Sequence, residues 1–183
     1  MTIYEPQEDS FLLETQVKKC ALGRVLDLGT GSGIQALAAA QNKMVREVIA
    51  VDINPKAVKR LQEKVSKNKL RKIKVMLSDL FSEVNGKFDT IIFNPPYLPE
   101  AEGEDKESQQ ITTGGKQGYE IIERFLKEAK RHLHPKGSIL LVYSSLTGNV
   151  EKVAKKYGFK VEVLEKRQVF FETLIVGKCT LEN

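Results

Sequence analysis

The sequence contains few of the residues that mark specialised protein classes. Among its 183 residues there are no tryptophans, two cysteines and two histidines. The two cysteines, Cys20 and Cys179, form neither a disulfide framework nor a metal-ligand spacing. No apolar run approaches the roughly 18 residues of a membrane span, and the acidic, polar start differs from a signal peptide. We therefore predict one cytoplasmic domain over residues 1–183 that needs neither a membrane nor a metal.

A large excess of one charge is also missing. The 29 basic residues are offset by 24 acidic ones, which leaves a net charge of +5. A basic balance can mark a nucleic-acid surface, but a solvated surface rich in lysine and glutamate gives the same value. Lysines concentrate in residues 56–74, where the pattern indicates one helix with a solvated face and the turn after it. We favour the solvated surface and expect that nucleic acid is not required.

Short apolar segments alternate with segments of helical length along the chain. The predicted strands, which are rich in branched residues, are Arg24–Leu28, Glu47–Val51, Ile73–Leu77, Asp89–Phe93 and Ser138–Tyr143. The predicted helices are Gly33–Gln41, Pro55–Lys67 and Gly118–Leu133. Such an alternation implies right-handed crossovers and a mostly parallel α/β sheet with helices on both faces.

Two regions depart from this alternation. Near the end of the chain, Phe159–Glu165 and Val169–Val176 predict an antiparallel hairpin that turns at Lys166–Gln168. Residues 98–117 are acidic and almost free of large apolar residues, and a loop of about 20 residues in a compact domain is commonly functional. We predict that this segment is a substrate loop or lid. Its candidate hinges are Gly114, Gly115 and Gly118.

A glycine-rich turn follows the first predicted strand, where residues 29–33 read Gly-Thr-Gly-Ser-Gly. Such a turn brings backbone amides against a ligand, although Ile34 stands where the dinucleotide fingerprint requires its last glycine. Asp52 ends the second strand, where a carboxylate can accept both ribose hydroxyls. After the third strand, Asp79 and the amide of Leu80 can read an adenine. Because parallel strands end at one edge of the sheet, the set predicts an adenosine-containing ligand.

The fourth strand runs into Asn94-Pro95-Pro96-Tyr97, the most informative motif in the chain. Two prolines stiffen the loop and hold the Asn94 side-chain oxygen and the Pro95 carbonyl as two acceptors. Two acceptors suit a planar NH₂ group, and Tyr97 offers it an apolar face. An amide nitrogen is a weak nucleophile that needs tight positioning and a strong electrophile. A sulfonium methyl donor supplies that electrophile and contains adenosine, which joins the two ends of the predicted site.

These motifs resemble the class I S-adenosylmethionine-dependent methyltransferases that act on planar NH₂ groups. The resemblance is closer to the HemK/PrmC family, in the eukaryotic and archaeal branch of release factor glutamine N5-methyltransferases. Further segments that carry it are Tyr4–Ser10, Asp52–Pro55, Gly114–Gly118, Arg167-Gln168 and Glu172–Leu174. It implies a Rossmann-like, mostly parallel seven-stranded sheet with a C-terminal antiparallel hairpin. It also implies S-adenosyl-L-methionine as cofactor, S-adenosyl-L-homocysteine as product, and methylation of the Gly-Gly-Gln loop glutamine of a class-1 release factor.

The resemblance implies a role for each matching residue. The glutamine carboxamide would be held by Asn94, Pro95, Pro96 and Tyr97, with Asn94, Pro95 and Tyr97 at the reacting group. Residues 1–20 would form a lid or helix over the pocket. The donor would contact Gly29, Thr30, Gly31 and Gly33 at its methionine part, Asp52 and Ile53 near the ribose, Asp79 and Leu80 at the adenine, and Tyr4, Glu8, Ser10 and Asn94 around it.

The resemblance also implies a partner, because members of this branch work with a small zinc-binding activator subunit. The predicted strand Ile73–Leu77 lies at an edge of the class I sheet, and an exposed apolar edge favours pairing with another strand. Arg71, Lys72 and Lys74 are alternatively an ordinary defence of that edge against aggregation. Bacterial relatives carry an extra N-terminal helical domain. This chain begins about twenty residues before its first strand, so we expect that domain to be absent.

Three other functions remain open at this point. A nucleic-acid amino methyltransferase acting on adenine N6 or guanine N2 would use the same acceptor loop on a flipped or single-stranded base. A protein lysine methyltransferase fits the loop less well, because an ammonium must first lose a proton. A catalytically silent nucleotide-binding scaffold has no use for the two acceptors at Asn94 and Pro95.

Overall fold

The computed structural model describes residues 2–101, 103 and 111–182. The helices are α1 (Glu8–Cys20), α2 (Ile34–Gln41), α3 (Pro55–Lys67), α4 (Glu120–His132) and α5 (Val150–Lys156). The strands are β1 (Gly23–Leu28), β2 (Val45–Asp52), β3 (Ile73–Leu77), β4 (Phe88–Phe93), β5 (Leu98–Pro99), β6 (Thr113–Gly115), β7 (Leu133–Ser144), β8 (Phe159–Val169) and β9 (Glu172–Leu181). None of the helices in this part of the chain is long and apolar enough to cross a bilayer.

The main sheet has seven strands in the order β3-β2-β1-β4-β7-β9-β8. The first five of these are parallel, and β9 is antiparallel to both of its neighbours, β7 and β8. This confirms the predicted mixed sheet and places β3 at an edge. Leu28 of β1 pairs with Val51 of β2 and with Phe93 of β4. The segments that follow these three residues therefore emerge side by side at the carboxyl edge, where the strand order reverses and open α/β sheets bind ligands.

Helices cover both faces of the sheet, as the alternating pattern predicts. On one face, Leu12, Val17, Ala36 and Leu61 of α1 to α3 pack with strand residues such as Val25. The opposite face is covered by α4 and α5. Its buried cluster includes Leu26, Ile91, Ile122, Phe125 and Val150. Neighbouring residues of one strand, Val25 and Leu26, thus enter opposite cores, which explains why the strands read as continuous apolar runs.

The start of α3 shows how the sequence sets a helix boundary. The Asn54 side chain accepts a hydrogen bond from the backbone N–H of Lys56 (3.0 Å), and Pro55 occupies the first helical position. An asparagine cap satisfies a free helical N–H, and proline lacks the N–H that would otherwise be unpaired. The observed helix has the predicted bounds.

The C-terminal hairpin turns at a different place from the predicted one. The β8–β9 ladder continues through Arg167↔Leu174 to Val169↔Glu172, so Lys166–Gln168 belongs to β8 and the turn is Phe170-Phe171. The prediction was wrong because it took a polar stretch for a turn, whereas an antiparallel strand with an exposed face also carries polar residues. No pattern of glycine or asparagine marks the true turn.

The predicted substrate loop over residues 98–117 is paired at both ends. Leu98–Pro99 and Thr113–Gly115 form the short parallel ladder of β5 and β6. Residue 102 and residues 104–110 of the proposed lid lie outside the described residues. Closure of that part over the cavity stays a prediction. Gly114 and Gly118 pack closely against the backbone of residues 96–99, since a Cβ on Gly118 would approach the Tyr97 carbonyl oxygen to 2.4 Å. Close packing thus explains the glycine at these two positions.

Candidate active site

A cavity of about 210 Å³ opens at the carboxyl ends of β1, β2 and β4. It brings together most of the residues that the sequence singles out. The predicted site residues in its lining are Tyr4, Ser10, Gly29, Thr30, Gly31, Asp52, Ile53, Asn94, Pro95, Pro96 and Tyr97. Three widely separated segments, which are the N-terminal motif, the glycine turn and the acceptor loop, therefore form one site.

The glycine turn is held from below by a buried carboxylate. Gly29 and Gly31 have φ angles of +62° and +51°, a region that favours glycine. Thr30 donates its hydroxyl to Asp27 Oδ2 (2.6 Å), and the backbone N–H of Ala36 donates to the same oxygen (3.0 Å). Burial raises the pKa of Asp27 to about 7, although these two hydrogen bonds lower it. The turn is therefore fixed by contacts within the protein.

Asp52 joins the second strand to the glycine turn. Its Oδ2 accepts the backbone N–H of Gly31 (2.8 Å), and its Oδ1 accepts the backbone N–H of Asn54 (2.8 Å). Burial raises the pKa of this carboxyl, and the hydrogen bonds from Asn54 and Gly31 oppose that rise. Each carboxylate oxygen has a further lone pair, so the residue can also accept hydroxyl donors from a ligand.

Four predicted donor contacts do not line the cavity. Glu8 is exposed in the first turn of α1. Gly33 has a φ of +83°, and a Cβ there would approach the Leu61 side chain to 2.4 Å, so its glycine is explained by packing. The Asp79 carboxylate is half-exposed and pairs with Arg124 (3.1 Å), with Leu80 beside it. An exposed ion pair contributes only about 0–1 kcal/mol, so a ligand can displace it.

Asn94 is the central residue of the part of the cavity formed by residues 94–97 with Asp9 and Ser10, which we call the acceptor half. Its side-chain Nδ2 donates to Asp9 Oδ2 (2.9 Å) and lies 3.4 Å from Ser10 Oγ. A carboxylate only accepts hydrogen bonds, so this contact fixes which end of the amide carries the NH₂ group. The other end, Oδ1, is buried and has no hydrogen-bond partner among the described residues. Such an oxygen is costly to leave unpaired, which marks it as the acceptor for a ligand donor.

Asp9 is the site residue that the sequence reasoning missed. It is 3 % exposed and also accepts the hydroxyl of Tyr4 (3.0 Å) and the backbone N–H of Ser10. The available signal was helical periodicity, because Asp9 shares a face of α1 with the buried Leu12, Leu13, Gln16 and Val17. Glu8 falls outside that face. The carboxylate that points inward is thus the second of the two, Asp9.

Tyr97 closes the acceptor half beside Asn94. Burial, followed by the negative charges of Asp9 and Glu172, raises the pKa of its phenol, so the ring is neutral. Its backbone N–H donates to the Thr112 carbonyl (3.1 Å), and its carbonyl accepts the Thr147 hydroxyl (2.8 Å). The loop that carries Asn94 is therefore tied to the residue before β6 and to the segment after β7. Among the described residues, no three His, Cys, Asp or Glu side chains converge as a metal site would require.

A mixed seven-stranded sheet with a glycine turn, an acidic second strand end and an Asn-Pro-Pro-Tyr loop defines a class I methyltransferase. The sequence pattern of the family "Methyltransferase small domain" matches residues 7–171, and the chain belongs to that family. Its similarity to individual proteins points to the HemK type within this family.

Two relatives and one solved structure support that type. The chain is 42 % identical, over 95 % of its length and 89 % of the relative's, to the "Putative protein N5-glutamine methyltransferase" of Methanocaldococcus jannaschii. It is 32 % identical to the release factor glutamine methyltransferase of Aquifex aeolicus, covering 83 % of this chain but 57 % of that protein. The chain thus spans little more than half of that bacterial relative. In the E. cuniculi Mtq2-Trm112 complex, which methylates the translation termination factor eRF1, one chain matches with a TM-score of 0.75 and 26 % identity, covering all of both chains.

Proposed function

We propose that this chain transfers the methyl group of S-adenosyl-L-methionine to the side-chain nitrogen of a protein glutamine, in the Gly-Gly-Gln loop of a class-1 release factor. The observation that carries the proposal is the buried Asn94 Oδ1, which lacks a partner among the described residues. A carboxamide NH₂ group supplies the missing donor. The names of the relatives support the same acceptor.

The acceptor half suits a weak nucleophile that must be aligned. A glutamine nitrogen that donates one N–H to Asn94 Oδ1 and the other to the Pro95 carbonyl keeps its lone pair directed away from both. Alignment of this kind is worth roughly 7–11 kcal/mol in well-oriented reactions. Bound in the cavity, S-adenosyl-L-methionine would supply a sulfonium methyl group, the electrophile that an amide nitrogen needs. Tyr97 would hold the carboxamide plane from the side.

The part of the cavity formed by the glycine turn and Asp52, which we call the donor half, has the groups that an adenosyl sulfonium requires. Asp52 would accept the ribose hydroxyls, and Gly29 to Gly31 would let the backbone approach the methionine part. Ile53 would cover the nucleoside, with Tyr4 and Ser10 closing the pocket. Asp79 and Leu80 would reach the adenine once the exposed pair with Arg124 opens. The product, S-adenosyl-L-homocysteine, would leave by the same opening.

The residues that line the cavity help to compare a glutamine amide with a nucleic-acid base as the methyl acceptor. The described residues that form it include no lysine, arginine or histidine. Nucleic-acid enzymes place most of their contacts on phosphates and sugars, largely with arginine and lysine, so this lining gives no support to a base amine as acceptor. We therefore propose one function and use the nucleic-acid reaction as a test outcome.

The experiment that tests the proposal is a transfer assay with a labelled methyl donor. With and without the small activator subunit, the chain is incubated with a release factor, with the same factor carrying Gln→Asn in its Gly-Gly-Gln loop, and with RNA. We expect label on the unaltered factor alone, because only its loop presents a carboxamide of the right length. Equal labelling of the altered factor, or label in RNA alone, contradicts the proposal.

A small zinc-binding activator subunit is the partner that we propose, paired with the free edge of β3. The register of β3 on β2 leaves the backbone N–H and carbonyl of Val75 pointing away from β2. In the described residues that carbonyl accepts only a side-chain donor, Gln62 Nε2 (3.1 Å). Leu77 at the end of the strand is 51 % exposed. An apolar strand edge with exchangeable contacts is suited to strand addition. The second protein of the E. cuniculi complex, Trm112, supports such a partner.

This partnership is tested by co-purification with the activator and by activity with and without it. Val75→Pro removes an outward backbone donor from β3, so we expect loss of the complex and activity no higher than that of the unassisted chain. Unchanged complex formation by the variant contradicts pairing through this edge.

A further inference from the structure

The turn of the β8–β9 hairpin carries two aromatic side chains in water. Phe170 and Phe171 are 96 % and 94 % exposed, the highest values among the large apolar residues of the described chain. Two-residue hairpin turns favour glycine and asparagine, because their first or both central residues take a positive φ. Phe170 has a φ of +32°, which a bulky residue rarely adopts. Neither turn geometry nor packing in the core therefore explains phenylalanine at these two positions.

The turn stands next to the acceptor half of the site. At its base, Thr173 and Ser145 exchange two hydrogen bonds of 2.9 Å, which join β9 to the segment after β7. Two residues further on, Thr147 donates to the carbonyl of Tyr97. Leu146, which lies between these two contacts, is 49 % exposed. We name Leu146, Phe170 and Phe171 the apolar rim.

A polar group beside the rim also lacks a partner. Glu172 follows the turn directly, and its Oε2 is buried without a hydrogen-bond partner among the described residues. Its charge is close enough to raise the pKa of Tyr97 after the contributions of burial and of Asp9. A carboxylate oxygen in this setting accepts an N–H donor, and an extended polypeptide supplies such donors along its backbone.

We propose that the apolar rim binds the polypeptide of the protein substrate beside the methylated glutamine; this rests on the proposed function. A glutamine side chain is short, so the backbone that carries it must cross the mouth of the cavity next to Tyr97. Because the two residues before the glutamine are glycines, the side chains that meet the rim are those that follow it, and a backbone N–H reaches Glu172. Exposed aromatic residues are frequent anchors of protein interfaces. The rim thus supplies part of the selectivity for a folded protein over a free amide.

The test replaces the turn without disturbing the hairpin. Phe170→Gly combined with Phe171→Asn installs a pair that favours a two-residue turn, so the Tm should stay equal or rise. We expect the KM for the release factor to rise about 10- to 100-fold, the range for losing the burial of one phenylalanine. The kcat and the donor Kd should change less than threefold. Replacing both residues by leucine should recover most of the loss in KM.

Met44 provides a matched control. It is an apolar residue 69 % exposed, and it lies at the amino ends of β1 and β2, where its carbonyl accepts the N–H of Gly23 (2.8 Å). Met44→Ala should leave the KM for the release factor, the kcat and the Tm unchanged. A photoreactive benzophenone side chain at position 171 should crosslink to the release factor in the presence of the donor.

The outcomes separate this inference from the proposed function. If the unaltered chain labels the release factor and the turn variant has the same KM, the rim proposal is wrong and the function stands. Crosslinks that join position 171 to the activator or to a second copy of the chain likewise overturn it. If the unaltered chain labels no release factor even with the activator subunit present, the proposed function is wrong and the rim loses its stated occupant.

Discussion

The two halves of the cavity differ in how far the protein satisfies its own polar groups. In the donor half, Asp27 and Asp52 accept backbone and hydroxyl donors, so the glycine turn is held before any ligand binds. In the acceptor half, Asn94 is held at one end only, and its buried Oδ1 has no partner in the described chain. The donor half is preorganised by its own contacts, whereas we expect a substrate to complete the acceptor half.

Asn94→Ala tests this difference most directly, because it removes the side-chain oxygen that accepts the substrate's hydrogen bond and leaves the donor half intact. We expect kcat with the release factor to fall about 100- to 1,000-fold, the range for losing one oriented hydrogen-bonding group at a reacting centre. The donor Kd, measured by calorimetry, should change less than threefold. A variant that loses donor binding together with activity contradicts the division of the site into two halves.

Asp9→Ala tests whether the acceptor half depends on a positioning residue. Without Asp9 the Asn94 amide is free to rotate, so we expect kcat to fall about 10- to 100-fold, as for residues that orient a functional group. The KM for the release factor should change little, and Asp9→Asn should restore part of kcat because its oxygen can still accept the Asn94 NH₂ group. Glu14→Ala on the same helix, which removes a surface pair with Lys18, is the control for the loss of a carboxylate in α1. Equal losses in the Ala and Asn variants contradict a positioning role.

The contrast between Asp9 and Glu8 shows where sequence reasoning ends. The strands, α3 and the acceptor loop follow from apolar period, capping and proline chemistry, all of which act locally. The edge position of β3 was implied by the resemblance to the class I methyltransferases. The direction of a side chain in the first turn of α1 depends on the phase with which that helix packs on the sheet. The hairpin turn at Phe170-Phe171 was missed for a related reason, since its residues contradict local turn preference and only the β8–β9 register shows it.

Asp52→Asn is the reverse test, because it alters the donor half rather than the acceptor half. The amide keeps one acceptor oxygen but places an NH₂ group against the backbone N–H of Gly31 or Asn54, both of which need an acceptor. We expect the donor Kd to rise about tenfold, which corresponds to about 1.4 kcal/mol. The KM for the release factor at saturating donor should stay within threefold of the unaltered value. A larger effect on the release factor than on the donor would reverse the assignment of the two halves.

An effect on stability alone, rather than on activity, arises from Asp27 beneath the glycine turn. Burial raises the pKa of Asp27 from 3.8 to about 7 in the folded chain, so folding favours its protonated form. The stabilisation by protonated Asp27 is complete below pH 4 and is lost as the pH rises toward 7, at about 1.4 kcal/mol per pH unit. Asp27→Asn mimics the protonated form and should remove this dependence. Urea unfolding at pH 5 and pH 8 should therefore show the variant gaining about 2–3 kcal/mol relative to the unaltered chain between the two values. Parallel pH profiles for the two proteins would show instead that Asp27 remains ionised in the folded state and that the hydrogen bonds from Thr30 and Ala36 outweigh its burial.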